Sequence, residues 1–405
     1  MAPTGATSTL PATPTASPPL LQPQGTSGFE GDEFSNNLFS DLAPLLTLFG
    51  EQVTKQFLSM SMGWADNILL GMGPLGIITT VVSAIRVGGV RKLKALIGRA
   101  RESPATAEQE ILSSTSNNVC ELWNGNEIVR QLGKCKTTEF VMFTSQDGEI
   151  QLADLPHSVH NGWLKLEGSE SFYSSDKAEA LSLQSPNIAL NMDRAIASDR
   201  ELGVWTALGV ILQFMALIIP AVVTYHWKWQ KGTTSIQAYA YPCFLAGSCL
   251  VTIGIILCSY VIEATTTETT FVPCDDEQNK KPLKIFRLQI GCTVGDQQFP
   301  SCVILNPKDN RIIRTSRLLP GSNKKTLTWA GLSSFLTIVG FICQFVGLRS
   351  LHWSATIIQL GVTLFMTGVR SWVRRGLAHD IKSINLNLDV TNLDRLALEI
   401  GERCL

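Results

Sequence analysis

Five stretches of the sequence run for 19 to 31 residues without Asp, Glu, Lys or Arg: 67–85, 202–225, 232–262, 326–348 and 350–369. A helix needs about 20 apolar residues to cross the hydrocarbon core of a bilayer, and in lipid each backbone polar group must be satisfied inside the fold. Length combined with missing charge therefore restricts this chain more than any other feature. The last four stretches are rich in Leu, Ile, Val and Phe, as in ALGVILQFMALIIPAVV and SSFLTIVGFICQFVGL. They predict transmembrane helices over 202–225, 239–262, 328–348 and 351–372.

Aromatic residues argue against four buried helices of a soluble core, because amphipathic rings collect at the two membrane–water interfaces. Trp205 opens the first of the four, and Tyr225, Trp227 and Trp229 close it. Tyr239, Tyr241 and Tyr260 bracket the second, Trp329 opens the third, and Trp353 and Trp372 bracket the fourth. The remaining stretch, NILLGMGPLGIITTVVSAI at 67–85, is interrupted by three Gly and one Pro. It reads as a weaker transmembrane helix, or as a re-entrant or interfacial one. Ahead of it, within 36–66, Leu42, Leu45, Leu46, Phe49, Val53, Phe57 and Met60 recur at spacings of three and four. That is the apolar face of an amphipathic helix, packed on its neighbours or lying in the interface. Residues 1–35, rich in Thr, Pro and Ser without the basic start and apolar core of a signal peptide, read as a disordered tail.

Charge sets the sidedness. The 33 Lys and Arg against 34 Asp and Glu leave a net charge of −1, with no basic excess to draw the chain to nucleic acid. Of the 33 basic residues, 29 lie in 86–202, 263–327 and 370–405. Cytoplasmic segments carry the Lys and Arg nearest the membrane, so those three segments are expected to be cytoplasmic. The first, 86–200, reads as a helical and loop region: helices from 86 to about 132 around a turn at Asn124 and Gly125, then short strands such as TEFVMF and EIQLA. The second, 263–327, reads as a small β subdomain with runs TTFV, KIFRLQI, FPSCVIL and RIIRTS. The tail 373–405 adds SINLNLDV. Arg91, Lys92, Lys94 and Arg99 are candidate contacts to anionic lipid, although such charges more often only fix topology.

Chemistry is sparse. GMGPLG matches the spacing of a dinucleotide fingerprint, but it sits in apolar sequence with Arg and Lys where the acidic residue is needed, so it reads as small-residue helix packing. His157 and His160 form an HxxH pair that reads as a loop without further metal ligands. No CxxC pair occurs, and Cys274, Cys292 and Cys302 should be reduced thiols of the β subdomain. The last four uncharged stretches hold no Asp, Glu, Lys or Arg, which argues against proton-coupled transport and aspartyl proteolysis. Their Gln213, Gln344 and Gln359 suit interhelical hydrogen bonds, or a polar path through an oligomer. No cofactor, metal or catalytic site is expected.

Several longer strings, DLAPLLTLFGEQVTKQFLSMSMGWADN, PLGIITTVVSAIRVGG, SSTSNNVCELWNGNEIVRQLG, VVTYHWKW and FVGLRSLHWSATIIQLGVTLFMTGVRSWVRRGL among them, resemble a group of uncharacterised filamentous-fungal multi-pass membrane proteins. In that group the module often precedes ankyrin repeats, which have no TPLHxA-like counterpart here. The resemblance spans roughly residues 35–380 and implies membrane class without a catalytic residue to carry over. The expectation is thus a mainly α integral membrane protein with a small cytoplasmic β-sheet subdomain. Its partners would be the lipid bilayer, cytoplasmic proteins and further copies of itself. It would act as a non-enzymatic interaction or sensing platform, with an oligomeric channel or facilitator as the alternative.

Overall fold

The computed structural model describes residues 31–134, 137–144, 150–167, 187–192, 196–231, 235–274, 283–305, 312–319 and 324–386. The expected tail 1–35 and the last part of SINLNLDV fall largely outside these residues. In chain order come α1 (Gly31–Ser59), α2 (Trp64–Gly71), α3 (Ile77–Gly88), α4 (Arg91–Leu96) and α5 (Pro104–Ile111). Next are β1 (Val119–Trp123), β2 (Ile128–Leu132), β3 (Thr137–Thr144), β4 (Ile150–Asp154), α6 (Leu155–His160) and β5 (Leu164–Leu166). Two long helices follow, α7 (Asp199–Ala221), prolonged by a π turn over Val222–His226, and α8 (Ala240–Glu263). Then come β6 (Thr266–Pro273), β7 (Lys284–Gln289), β8 (Cys292–Val294), β9 (Gln297–Phe299), β10 (Cys302–Leu305) and β11 (Ile313–Leu318). The described chain closes with α9 (Lys324–Ser350), α10 (Trp353–Val373) and β12 (Ser383–Asn385).

Among the described residues, three helices are long and apolar enough to cross a membrane: Asp199–His226, Ala240–Glu263 and Lys324–Ser350. At 1.5 Å per residue they measure about 36–42 Å, more than the ~30 Å hydrocarbon core. The expected fourth, α10, is a continuous helix, but Gln359, five Thr and Ser and a terminal Arg370 dilute its apolar content. Half of the α8 window is buried, against 28% and 33% for the α7 and α9 windows, so α8 is the central helix. The outward faces of α7 and α9 are lined with exposed Ile211, Phe214, Phe335, Ile338, Phe341 and Phe345.

Helix α9 packs along α8 for most of its length. Gly247 and Gly254 on α8 and Gly340 and Gly347 on α9, each pair seven residues apart, let the backbones touch. A Cβ on Gly347 would lie 2.3 Å from the Phe244 nitrogen, and one on Gly254 would lie 2.3 Å from Thr337 Oγ1. Such small-residue seams are how helices associate where no hydrophobic effect separates them from lipid. A connection of only two residues, Leu351–His352, would permit a hairpin of the last two helices, but α10 turns away from α9 to lie against α1 and α7.

The non-helical half is built from strands far apart in sequence. One antiparallel sheet has the order β12-β10-β7-β3-β4, and a second has β11-β6-β5. Val141 of β3 and Ile285 of β7 meet Phe271 of β6 and Ile313 of β11 in the core between the sheets. The β subdomain expected within 263–327 is therefore a composite: β3, β4 and β5 come from the preceding segment and β12 from the tail.

Helix was expected from 86 to about 132, and the second part of that reading is corrected. Val119–Trp123 and Ile128–Leu132 form an antiparallel hairpin turned at Asn124 and Gly125, whose φ is 101°. Asn124 Oδ1 accepts from the backbone nitrogens of Asn126 and Glu127 at 2.9 and 2.8 Å, an Asx turn that ends one strand and starts the next. VCELW contains helix formers, but all five of its residues are buried, on both faces, which suits a strand between two layers. The HxxH segment is corrected in the other direction: it is the short helix α6, capped by Asp154 and started by Pro156, not a loop.

Candidate functional site

The sequence element that departs furthest from regular structure is GMGPLG, and the structure breaks the helix there. Pro74 cannot donate to a helical ladder, and Gly73 and Gly76 take φ values of 59° and 73°. A Cβ at Gly76 would lie 2.3 Å from Thr54 Oγ1, so close approach as well as conformation demands glycine. Read as small-residue packing within one helix, this motif is instead a break between two. Only Gly71 packs as expected, since a methyl group placed on it would lie 2.6 Å from Ile256 Cγ1.

The two short helices enter and leave the bundle on the same side. At the start of α2, the Trp64 ring stacks 5.1 Å from Tyr260, and Asn67 bonds to Ser259 and Glu263 at 2.5 Å each, near the β end of α8. By Gly71 the chain has descended to Thr252 and Ile256. Helix α3 then climbs back, and Gly88 packs on Ala330 at the β end of α9. The segment 67–85 is thus a helix–break–helix turn inside the bundle rather than a single helix.

Backbone groups exposed by the break are satisfied by side chains from three other helices. Arg370 of α10, 1% exposed, directs Nη2 at the carbonyls of Leu70, Met72 and Gly73, at 2.9, 2.7 and 2.9 Å. These are the orphan carbonyls at the negative end of α2, where a cation is favoured. Gln213 Oε1 of α7 accepts from the Gly73 nitrogen at 3.2 Å, and Thr54 Oγ1 of α1 donates to the Leu75 carbonyl at 3.1 Å. Nε and Nη1 of Arg370 have no partner among the described residues. Sequence reading placed Arg370 just outside an uncharged interval, as a boundary residue. Only the helix running on to Val373 and turning that residue inward reveals its role.

A buried ion pair fixes the entry to this turn. Arg374 Nη2 and Asp66 Oδ1 are 2.8 Å apart, and the Arg374 guanidinium also lies 4.7 Å over the Phe57 ring. At its exit, Arg86 grips Glu102 through Nε and Nη2 at 3.0 and 2.6 Å and reaches Glu110 at 2.5 Å. That hydrogen bond from Arg86 holds the Glu110 carboxyl down at about 2.

The three glutamines differ in their partners. Gln213 serves the break, Gln344 Nε2 donates to Ser248 Oγ at 3.1 Å across the α8–α9 seam, and Gln359 Oε1 is buried with no partner among the described residues. Of the candidate lipid contacts, Arg91 and Lys92 are exposed on α4, and Arg99 pairs with Glu102 at 3.3 Å. Lys94 is 6% exposed, and burial lowers its amine, so it faces protein and is corrected as a lipid contact. His157 bonds to Asp154 at 2.5 Å. No group of three or more His, Cys, Asp or Glu among the described residues is placed to hold a metal ion.

One polar centre had no counterpart in the sequence reading, which treated 137–200 as loop-rich. Asn187, fully buried, donates to the Ser113 carbonyl, accepts from the Ser316 nitrogen at 2.8 Å, and offers its own carbonyl to Arg287 at 3.2 Å. It ties two of the segments expected to be cytoplasmic, 86–202 and 263–327, together. The buried pair Glu139–Arg287 spans β3 and β7 beside it.

Comparison with protein-family models finds no match, and comparisons with curated proteins and with solved structures find none either.

Proposed function

We propose that this chain is a multi-pass integral membrane protein without catalytic activity of its own, a platform whose cytoplasmic β assembly presents an interaction or sensing surface. The observation that carries the reading is where the chain crosses from one half of the fold to the other. Segments before α7, between α8 and α9, and after α10 meet in a single β assembly. The two connections at the other end of the bundle meet each other, with the Trp229 and His352 rings 5.2 Å apart. That arrangement supports crossings by α7 to α10, with α1 as a fifth, and the segments on the β side are the ones rich in Lys and Arg. The turn built from α2 and α3 is re-entrant in this reading. Helix α1, with Phe57 beside Arg374 and Gly50 beneath Leu75, follows α10 toward the far side.

Glycosylation acceptors inserted near residues 30, 235 and 295 test this topology. Modification at 30 and 235 with none at 295 is expected, and modification at 295 overturns the orientation. Proximity labelling from the cytoplasmic tail in the native host would then identify what the platform binds. Reproducible turnover by the purified chain as a hydrolase or transferase would overturn the non-enzymatic reading.

The broken helix favours a second reading, an oligomeric channel or facilitator. Irregular backbone at membrane depth is tolerated where it is buried in protein or lines a cavity, and an intramembrane Arg commonly marks a solute pathway. This reading expects flux in reconstituted liposomes that changes with Gln213→Leu. Absence of flux across a broad panel of ions and small solutes would remove it.

A further inference from the structure

A cleft of about 810 Å³ opens where the β assembly meets the helical bundle, between the start of α7, the end of α10 and β11. That volume lies in the range of small-molecule sites, roughly 300–1,000 Å³. Its floor is apolar, with Ile196 and Val373, and its walls carry both signs of charge, with Asp199, Glu201, Arg314 and Arg375.

Two of these charges are already matched. Arg375 holds Glu201 through both guanidinium nitrogens, at 2.7 and 3.2 Å, and its guanidinium stacks 4.8 Å over the Trp372 ring. The other two are not. Neither the Arg314 guanidinium nor the Asp199 carboxylate makes a hydrogen bond or salt bridge among the described residues. Glu268, diagonal to Arg314 across the β6–β11 pair, feels its charge without bonding to it and stands outside the cleft. One cation and one anion without bonded partners thus face the same space, beside the Ser198 hydroxyl and exposed His379.

The position of the cleft narrows the ligand. Trp205 and the exposed Trp372 flank it within two helical turns, at the level where aromatic belts mark the phospholipid headgroups. We propose that the cleft binds the headgroup of a zwitterionic phospholipid with a primary ammonium, phosphatidylethanolamine by chemistry. Arg314 takes the phosphodiester, for which a guanidinium fork is suited. Asp199 accepts hydrogen bonds from the ammonium, and the apolar floor receives the start of the acyl chains. A quaternary ammonium has no N–H to give Asp199, and an anionic glycerol headgroup brings no cation to it, so both should bind less well. The site rests on the membrane reading above, in which the end of α10 lies at the cytoplasmic headgroup level.

The test uses the full chain purified in detergent and titrated with short-chain phosphatidylethanolamine, phosphatidylcholine and phosphatidylglycerol, with thermal unfolding as the readout. The ethanolamine lipid should raise the melting temperature at the lowest concentration. Arg314→Ala should weaken that response about tenfold, the scale of one lost charge-assisted hydrogen bond. Asp199→Asn should erase the preference for ethanolamine over choline. If Arg314→Ala lowers the melting temperature without lipid, Arg314→Lys and Asp199→Asn read the site in a folded chain. Equal responses to all three lipids, or an ethanolamine response unchanged in the variants, would overturn the proposal. Carbonate extraction of native membranes separates the two readings. Release of the chain overturns the membrane reading and the site with it, whereas retention with no lipid preference overturns the site alone.

Discussion

Asp66 and Arg374 are joined across 308 residues of sequence by a 2.8 Å ion pair whose side chains are 3% and 2% exposed. The Met62 nitrogen also donates to Asp66, at 2.9 Å, so one carboxylate fixes both the entry to α2 and the end of α10. Removing one partner from a buried pair leaves an uncompensated charge, which costs about 3–5 kcal/mol. Asp66→Ala should therefore lower thermal stability in detergent sharply. Asp66→Leu combined with Arg374→Met should recover much of the loss, because an apolar replacement leaves no orphan charge. A double variant no better than the single would show that the carboxylate's bond to Met62 is what matters.

Arg370 should be needed for order at the break rather than for the presence of the long helices. In Arg370→Met the carbonyls of Leu70, Met72 and Gly73 lose their donor, each at roughly 1–3 kcal/mol. Hydrogen exchange read by mass spectrometry is expected to rise over 70–80 while α8 and α9 stay protected. Uniform acceleration across all helices would contradict a local role.

The α8–α9 seam should tolerate no added methyl group. Gly254→Ala places a Cβ 2.3 Å from Thr337 Oγ1 and 2.8 Å from its nitrogen, an overpacking expected to cost about 1–3 kcal/mol. Gly361 and Gly368 on α10 meet nothing within 4 Å at the same position, so alanine there should be neutral or mildly stabilising. Melting temperatures of the three variants, compared side by side, check the contrast.

Acid should loosen the exit of the helix–break–helix turn. Glu110 is held at about 2 in the fold against an ordinary 4.5, chiefly by the hydrogen bond from Arg86. A carboxylate with a depressed value contributes stability that is complete above its unfolded value and lost as pH falls through the folded one. The window is therefore from about pH 4.5 down to about 2. Glu110→Gln should flatten the fall of the melting temperature across that window, and an unchanged slope would argue against the assignment.

The sequence shows local features of this fold better than its pairings. TEFVMF and KIFRLQI read as strands from their β-branched and aromatic residues, yet nothing local says that Phe140 and Phe286 will face each other, with rings 5.8 Å apart. VCELW misleads because Glu and Leu favour helix and burial on both faces removes the alternation that would mark a strand. Arg370 is hidden for a related reason: a charge at the end of an apolar run looks like a boundary until neighbouring helices show what it faces. The glycine seam was within reach, since Gly247 and Gly254, like Gly340 and Gly347, repeat at seven residues.

The order of strands in the larger sheet has a consequence in time. β3 emerges early in synthesis, but its neighbour β7 lies roughly 140 residues later, so at about 5–20 residues per second β3 waits on the order of ten seconds or more. β10 waits in turn for β12, which follows the whole of α9 and α10. The larger sheet therefore cannot close until α9 and α10 have been made, and its closure reports that the helices between its strands are in place. A chain with α7 or α8 misplaced would hold β3 away from β7, with unpaired strand edges open to the proteostasis machinery.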